Sequence, residues 1–535
     1  MKLSRVAGAD AATATVPHFS LPRDYNAATF FIDRHAAEGR ADKTAIIDDA
    51  GTTTYGTLAE QVNRAGNALR ALGLRQEDRF AVCMLDTAAF PAVFWGGIKA
   101  GLVPIPLNTL LIPKDYAYML RDSRAKALVV SAALYDKIAP ALADQPFLEH
   151  VIVDGAAEDN LASRMAAASP VLDAAPTTCD DAAFWLYSSG STGAPKGVIH
   201  CHSHLAATNT LFGQGVLGVR EDDVVFSAAK LFFAYGLGNG MTFPFGAGAT
   251  VVLLAERPTP DSVMRTLGTH HPTIYYGVPT LYSAILADRA TANHTGSDRL
   301  RVCVSAGEAL PAEVGQRWED RFGVEILDGL GSTEMLHIFL CNPPGKRRYG
   351  TSGIAVPGYD LDIVDEAGQP VADGEIGELV VRGPSSALGY WNQREKSRHT
   401  FRGAWTATGD KYTREPDGYF VYAGRADDML KVSGNWVSPF EVEAALIAHP
   451  AVLEAAVIGD GADGLIKPHA FVVLKDDIEA DEALAADLKA FVKARLAPYK
   501  YPRWIEFVDT LPKTATGKIQ RFKLRDQVKE DSGDA

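Results

Sequence analysis

Cysteine is scarce in this chain of 535 residues, with five in all. Cys83, Cys179, Cys201, Cys303 and Cys341 are odd in number and widely scattered. No disulfide framework or zinc spacing is readable, which points to a reducing compartment. Basic charge is also in deficit, and the formal net charge is −14. That excludes a general nucleic-acid binder, because phosphate affinity needs a net or local basic surface. A small basic patch for a phosphorylated ligand stays compatible with it. No apolar run reaches the roughly 18 residues of a membrane span. The opening stretch MKLSRVAGADAATATVPHF has no sustained apolar core, so no signal peptide is read. A cytoplasmic protein is expected.

What is present is an ordinary globular composition, 47% hydrophobic and 22% charged. The length allows several domains. Residues 1–25 lack periodicity and read as a loose leader. From Asn26 onward, helical stretches such as LAEQVNRAGNALRALG alternate with short apolar runs such as FAVCML and ALVVSAA, the texture of a layered α/β unit. Between 350 and 425, short strands punctuated by Gly and Asp suggest a small β-rich or barrel-like subdomain. One more compact α/β unit fills 427–535, and its polar end KEDSGDA reads as frayed. The expected class is α/β: a large N-terminal domain, 26–426, and a smaller C-terminal one.

Two segments carry chemistry. Tyr187–Gly197 reads YSSGSTGAPKG. Gly190, Gly193 and Gly197 permit close backbone approach, Ser188, Ser189, Ser191 and Thr192 offer hydroxyls, and Lys196 offers a mobile positive charge. Together they suit a triphosphate cradle, although the run does not match a Walker loop. The second segment, Asp328–Glu334, reads DGLGSTE. Its acid Glu334 suits Mg²⁺, which prefers carboxylate, water and phosphate oxygens. The alternation His200-Cys201-His202-Ser203-His204 resembles ligands on one strand face, but zinc ligation needs better-defined geometry. His270 and His271 read as structural.

These segments, in this order and spacing, resemble the acyl-adenylate-forming superfamily of acyl- and aryl-CoA ligases, luciferases and peptide-synthetase adenylation domains. The resemblance runs from about Asn26 to Arg525 and includes AGLVPIPLNTLLIPKDYAYMLRDSRAKALVV before the first motif. It implies ATP, Mg²⁺ and coenzyme A as cofactors and cosubstrates. It also implies Lys518, Glu334, Thr333, Thr192 and Lys196 as catalytic groups, with Thr333 donating to the α-phosphate. Gly307, Glu308 and Ala309 would line the adenine face, together with the Asp328, Gly329, Gly331 and Ser332 segment. Asp410 would accept the ribose hydroxyls with Arg425 beside it; an ionised carboxylate offers acceptors only. Asp427 matches the hinge, Lys431, Ser433 and Gly434 the pantetheine path, and Lys518 in PKTATGKIQR the lysine that bridges acid, ribose and phosphate. The family usually has an aromatic where this chain has Leu330.

No acidic residue lies between Lys230 and Gly248, where amino-acid-activating relatives place an aspartate. The segment is mostly aromatic, apolar or small, which implies a flat, uncharged acyl group. FSAAKLFFAYGLGN with GSTEMLHIFL looks like the benzoate–CoA ligase branch. By that resemblance Ala234, Tyr235, Ala306, Gly331, His337 and Ile338 line a ring pocket and Phe233 gates it, while Phe232 and Phe243 read as core. The expected reaction turns benzoate, ATP and CoA into benzoyl-CoA, AMP and pyrophosphate. Substituted-benzoate or 4-hydroxybenzoate ligation, and transfer to a carrier protein, are the alternatives. A homodimer is implied by the family alone, with no nucleic-acid or membrane partner.

Overall fold

The computed structural model describes residues 19–155, 159–188, 194–425, 428–432, 435–461, 466–475, 478–497, 499–513 and 519–532. Among them the strands form six sheets. A four-stranded parallel sheet runs Val103–Pro106, Arg79–Cys83, Ala127–Ser131, His150–Asp154. Its central run ALVVS is buried throughout, while the edge strand His150–Asp154 exposes Val151. The helix Tyr55–Ala71 starts on Thr54, whose side chain accepts the Thr57 N–H. It buries Leu58, Val62, Ala65 and Leu69, a stripe at helical spacing.

The nine-stranded sheet positions the site. Its centre is parallel: Thr250–Val252, Val224–Ser227, Ile274–Gly277, Val302–Ala306 and Ile326–Gly331. Ile338–Cys341 and then Ile354–Ala355 extend one edge antiparallel. Ala306 pairs with Gly329, so the chain leaves the carboxyl ends of two neighbouring parallel strands side by side. Such ends are where open α/β sheets form binding crevices. A hairpin of Ala182–Ser188 and Lys196–Cys201 lies nearby, and Gly389–Tyr390 pairs with its second strand.

The 350–425 region is β-rich as expected, but it is an open sheet among the described residues. Asp360–Val364 pairs Gly377–Arg382, which pairs Trp405–Arg414; Phe401–Arg402 and Phe420–Arg425 add to the far side of that long strand. Ile354–Ala355 joins the large sheet instead. At the other end of the chain, Val452–Asp460, Lys467–Leu474 and Trp504–Phe507 form a three-stranded sheet. The helices Pro439–Ile447 and Glu482–Lys493 cover a core of its own, including Val442, Leu446, Val457, Val472 and Leu488. Buried Glu443 accepts the Val457 N–H at 2.7 Å and the Nε and Nη2 hydrogens of Arg521, the nearest at 2.7 Å. A buried carboxylate is tolerable when paired this fully.

Two expectations at the ends are corrected. Paired structure begins before Asn26, since the Cys179 N–H donates to the Arg23 carbonyl at 2.9 Å and Tyr25 N–H to that of Thr177 at 3.0 Å. The final helix runs Arg521–Ser532, into the stretch that reads as frayed. No helix among the described residues is long and apolar enough to cross a membrane.

Candidate active site

Ser188 and Lys196 face each other in register across the hairpin. Ser189, Gly190, Ser191, Thr192 and Gly193, the tip of the expected cradle, lie outside the described residues. Glu334 comes from the turn after Ile326–Gly331 and meets both flanks of that tip. Its Oε1 accepts the Tyr390 hydroxyl at 2.8 Å and the Ser188 hydroxyl at 3.4 Å, and Lys196 Nζ stands 3.9 Å away. Lys196 Nζ also donates to the Tyr390 oxygen at 3.3 Å and lies 4.3 Å from the centre of its ring. Burial lowers the Lys196 pKa, and Glu334 opposes that shift.

The turn itself is held on several sides. Ser332 Oγ accepts the Met335 N–H at 3.2 Å, and the Thr333 carbonyl accepts the Leu336 N–H at 3.1 Å. Leu336 sits at φ 66°, a left-handed conformation that a branched side chain adopts only under tertiary constraint. His200 Nε2 lies 2.8 Å from the Thr333 carbonyl. Burial pulls the His200 pKa down to about 4, so the ring is neutral with a single N–H. The carbonyl assigns that hydrogen to Nε2, which leaves Nδ1 to face His204 Nδ1 at 3.0 Å. His202 Nδ1 accepts the Ala27 N–H at 3.1 Å. The histidine run is thus buried scaffolding.

The donor set around Glu334 fits Mg²⁺: one carboxylate, neighbouring hydroxyls and a lysine for phosphate. Among the described residues no group of three or more His, Cys, Asp or Glu could hold a metal ion.

On the nucleotide side, Gly307, Glu308 and Ala309 form the turn after Val302–Ala306. Glu308 Oε1 accepts the Ile519 N–H at 3.2 Å, so the C-terminal region reaches the site next to Lys518, which itself lies outside the described residues. Asp328 is buried; its Oδ2 accepts the Leu310 N–H at 3.3 Å, and Oδ1 has no hydrogen-bond partner among the described residues. Burial raises its pKa to about 8. Asp410 and Arg425 are cross-strand partners, with Oδ1 3.1 Å from Nη1.

Of the expected acyl residues, Tyr235, Ala306 and Ile338 pack in one cluster, whereas Ala234 packs against another. Ala306 and Gly331 lie on neighbouring strands, and Gly331 pairs with Ile338. A Cβ on Gly331 would meet the His337 carbonyl at 2.7 Å, and one on Gly238 would meet the His337 ring at 2.4 Å, so glycine is required at both. Tyr235 donates to the Val304 carbonyl at 3.0 Å, and its ring centre lies 5.6 Å from that of His337. Phe233 caps the short helix Ala234–Leu237. His337 is buried, bonded through Nε2 to Asn239 Oδ1 at 3.1 Å, and burial pulls its pKa to about 3. Its Nδ1 has no hydrogen-bond partner among the described residues. Phe232 and Phe243 are buried, as expected of core.

Asp427, Ser433 and Gly434 lie outside the described residues, and Lys431 is described only as backbone of Leu430–Val432. Sequence reasoning missed Tyr390 and Asn239, and it weighed His200 only as a metal ligand. Only the Gly-Tyr-Trp run around Tyr390 stands out in the sequence, and it carries no chemical signature.

This arrangement sets hydroxyl, ammonium and carboxylate groups suited to a nucleoside triphosphate beside a buried wall of apolar and small residues. The AMP-binding enzyme family matches residues 33–391, and the C-terminal domain of that family matches 441–518. The chain belongs to the AMP-binding enzyme family. It is similar to the benzoate–CoA ligase of Thauera aromatica, 60% identical, with 96% of this chain and 98% of the relative covered. Among solved structures it is similar to a benzoate CoA ligase from Burkholderia xenovorans LB400, at 54% identity and TM-score 0.89, covering 94% of this chain and 100% of that one. The anthranilate CoA ligase AuaEII in complex with anthranoyl-AMP aligns at TM-score 0.93 with 44% identity, covering 96% and 99%.

Proposed function

We propose that this chain joins benzoate to coenzyme A through a benzoyl-adenylate. The observation that carries the reading is the apolar wall of Tyr235, Ala306, Gly331 and Ile338, which shares its strands with the Glu334 turn. It lies in a chain that has most of its residues in common with a benzoate–CoA ligase.

In the first step a benzoate oxygen attacks the α-phosphorus of ATP, the bond to the bridging oxygen breaks, and pyrophosphate leaves with its electron pair. Ser188 and Lys196, with Ser189, Gly190, Ser191, Thr192 and Gly193, hold the phosphates. Thr333 donates to the α-phosphate, and Asp410 and Arg425 hold the ribose. Glu334 would hold Mg²⁺, which when bound neutralises charge on the triphosphate. Lys518 supplies a positive charge where negative charge gathers; positioning and electrostatics are the whole of the catalysis here. In the second step the small domain, 427–535, turns about Asp427 and withdraws Lys518. The CoA thiol gives up its proton, sulfur attacks the acyl carbon, and AMP leaves. Lys431, Ser433 and Gly434 then line the pantetheine path. The enzyme is cytoplasmic and a homodimer; light scattering tests the latter.

A panel of benzoate, fluoro-, amino- and hydroxybenzoates and acetate, scored by pyrophosphate release with and without CoA, tests the reading. Benzoate should give release that CoA accelerates, and acetate should give little. Release driven best by acetate, or indifferent to CoA, would overturn it.

A further inference from the structure

The described contacts of the Glu334 side chain converge on one oxygen. Tyr390, Ser188 and Lys196 all address Oε1, at 2.8, 3.4 and 3.9 Å. Tyr390 is the centre of this group. Its hydroxyl hydrogen goes to Glu334, its oxygen accepts from Lys196 at 3.3 Å, and its ring lies under the same ammonium. Thr400 Oγ1 stands 3.3 Å from the hydroxyl. The backbone reinforces the link: the Ala387 N–H donates to the Glu334 carbonyl at 2.8 Å, and Tyr390 itself sits on a strand paired to the one that Lys196 begins.

We propose that Tyr390 is a positioning residue for the metal carboxylate, fixing Oε1 of Glu334 and the Lys196 ammonium so that Oε2 is presented to the cation of the bound nucleotide. The inference rests on the reading of Glu334 given above. A carboxylate tethered through one oxygen cannot rotate freely, so its second oxygen keeps one direction. Residues that orient a metal ligand in this way typically contribute about 10- to 100-fold to metal affinity or activity. The hydroxyl also accepts from the ammonium at 3.3 Å while Lys196 stays 3.9 Å from Oε1, beyond hydrogen-bonding distance of the acid.

Tyr390→Phe isolates this role. The ring packs with Val198, Ala387 and Phe401, and phenylalanine keeps that packing and the ring beneath Lys196. The experiment uses the full chain with adenosine 5′-(α,β-methylene)triphosphate and Mn²⁺, the bound cation being read by electron paramagnetic resonance. Mn²⁺ affinity of the variant should fall by about 10- to 100-fold, and the Mg²⁺ needed for half-maximal pyrophosphate exchange should rise by a similar factor. Thioester formation from supplied benzoyl-AMP and CoA should keep the wild-type rate. Unchanged Mn²⁺ affinity, or equal slowing of both half-reactions, would overturn the proposal. If wild type itself makes no benzoyl-AMP, the functional reading fails, while the Mn²⁺ measurement still decides the role of Tyr390.

Discussion

The two ends of the site are built on opposite principles. At the phosphate end, charged and hydroxyl groups are mostly buried and tied to one another, with Glu334, Tyr390, Ser188 and Lys196 within hydrogen-bonding or ion-pair distance. At the acyl end, the wall is made of what is left out: Gly331 and Gly238 leave room for His337, Ala306 is small, and no acid lies between Lys230 and Gly248. The first end acts through groups that must be present, the second through volume and the absence of charge. The difference teaches where each is vulnerable. Removing a group disables the first, and adding one disables the second.

Glu334→Gln is the strongest test of the first half of that contrast. It keeps the shape and the Tyr390 contact but removes the charge a cation needs. Benzoate-dependent ATP–pyrophosphate exchange should fall by about a thousandfold, the scale on which a single preorganised electrostatic group acts. Circular dichroism should show an intact fold, because glutamine has the size of glutamate and still accepts from the Tyr390 hydroxyl. Near-normal exchange by a folded variant would remove the carboxylate from the mechanism.

Ala306→Leu tests the second half by adding carbon instead of removing charge. Ala306 is buried on the wall, and an overfilled site excludes by volume. Benzoate kcat/KM should fall by about a hundredfold, the upper scale of a pocket mismatch of a methylene or more. Mg·ATP affinity should stay at the wild-type value. If benzoate turnover persists, the ring sits elsewhere; if ATP binding falls equally, the two ends are one unit and the contrast dissolves.

The same asymmetry governs what the sequence makes legible. Ser188, Lys196 and Glu334 announce themselves because hydroxyl, ammonium and carboxylate groups have few uses in such motifs, whereas Asp410 and Arg425 are legible only through the family resemblance. The structure brings the first three together and pairs the last two across strands. The acyl wall is readable only through family resemblance, since glycine and alanine have no chemical signature of their own. Tyr390 was invisible for another reason: it lies 56 positions after Glu334, and strand pairing near Gly389–Tyr390, not local pattern, brings it back. The 350–425 texture correctly indicated short strands. Turn spacing carries no information on closure, so the open edge and the loss of Ile354–Ala355 to the large sheet were beyond it.

Asp328 lies on the strand Ile326–Gly331 that leads into the Glu334 turn, and its expected effect is the smallest. It begins the DGLGSTE run three positions before Gly331, and burial raises its pKa from 3.8 to about 8. One carboxyl oxygen accepts from Leu310 N–H, and the other has no partner among the described residues. The folded protein therefore keeps a proton here that the unfolded chain releases above pH 3.8. Since the folded state then binds more protons, stability drawn from this group is full below pH 3.8, declines as pH rises, and is gone above about pH 8. Asp328→Asn has no proton to lose. Its thermal stability relative to wild type should rise steadily across that window and level off above it. Difference melting curves taken at intervals of pH measure this directly, and because both proteins share every other titrating group, the difference belongs to Asp328. Parallel curves would mean that the carboxylate is ionised in the folded state and finds a partner there. The strand that carries Gly331 and leads into the Glu334 turn would then hold a buried charge.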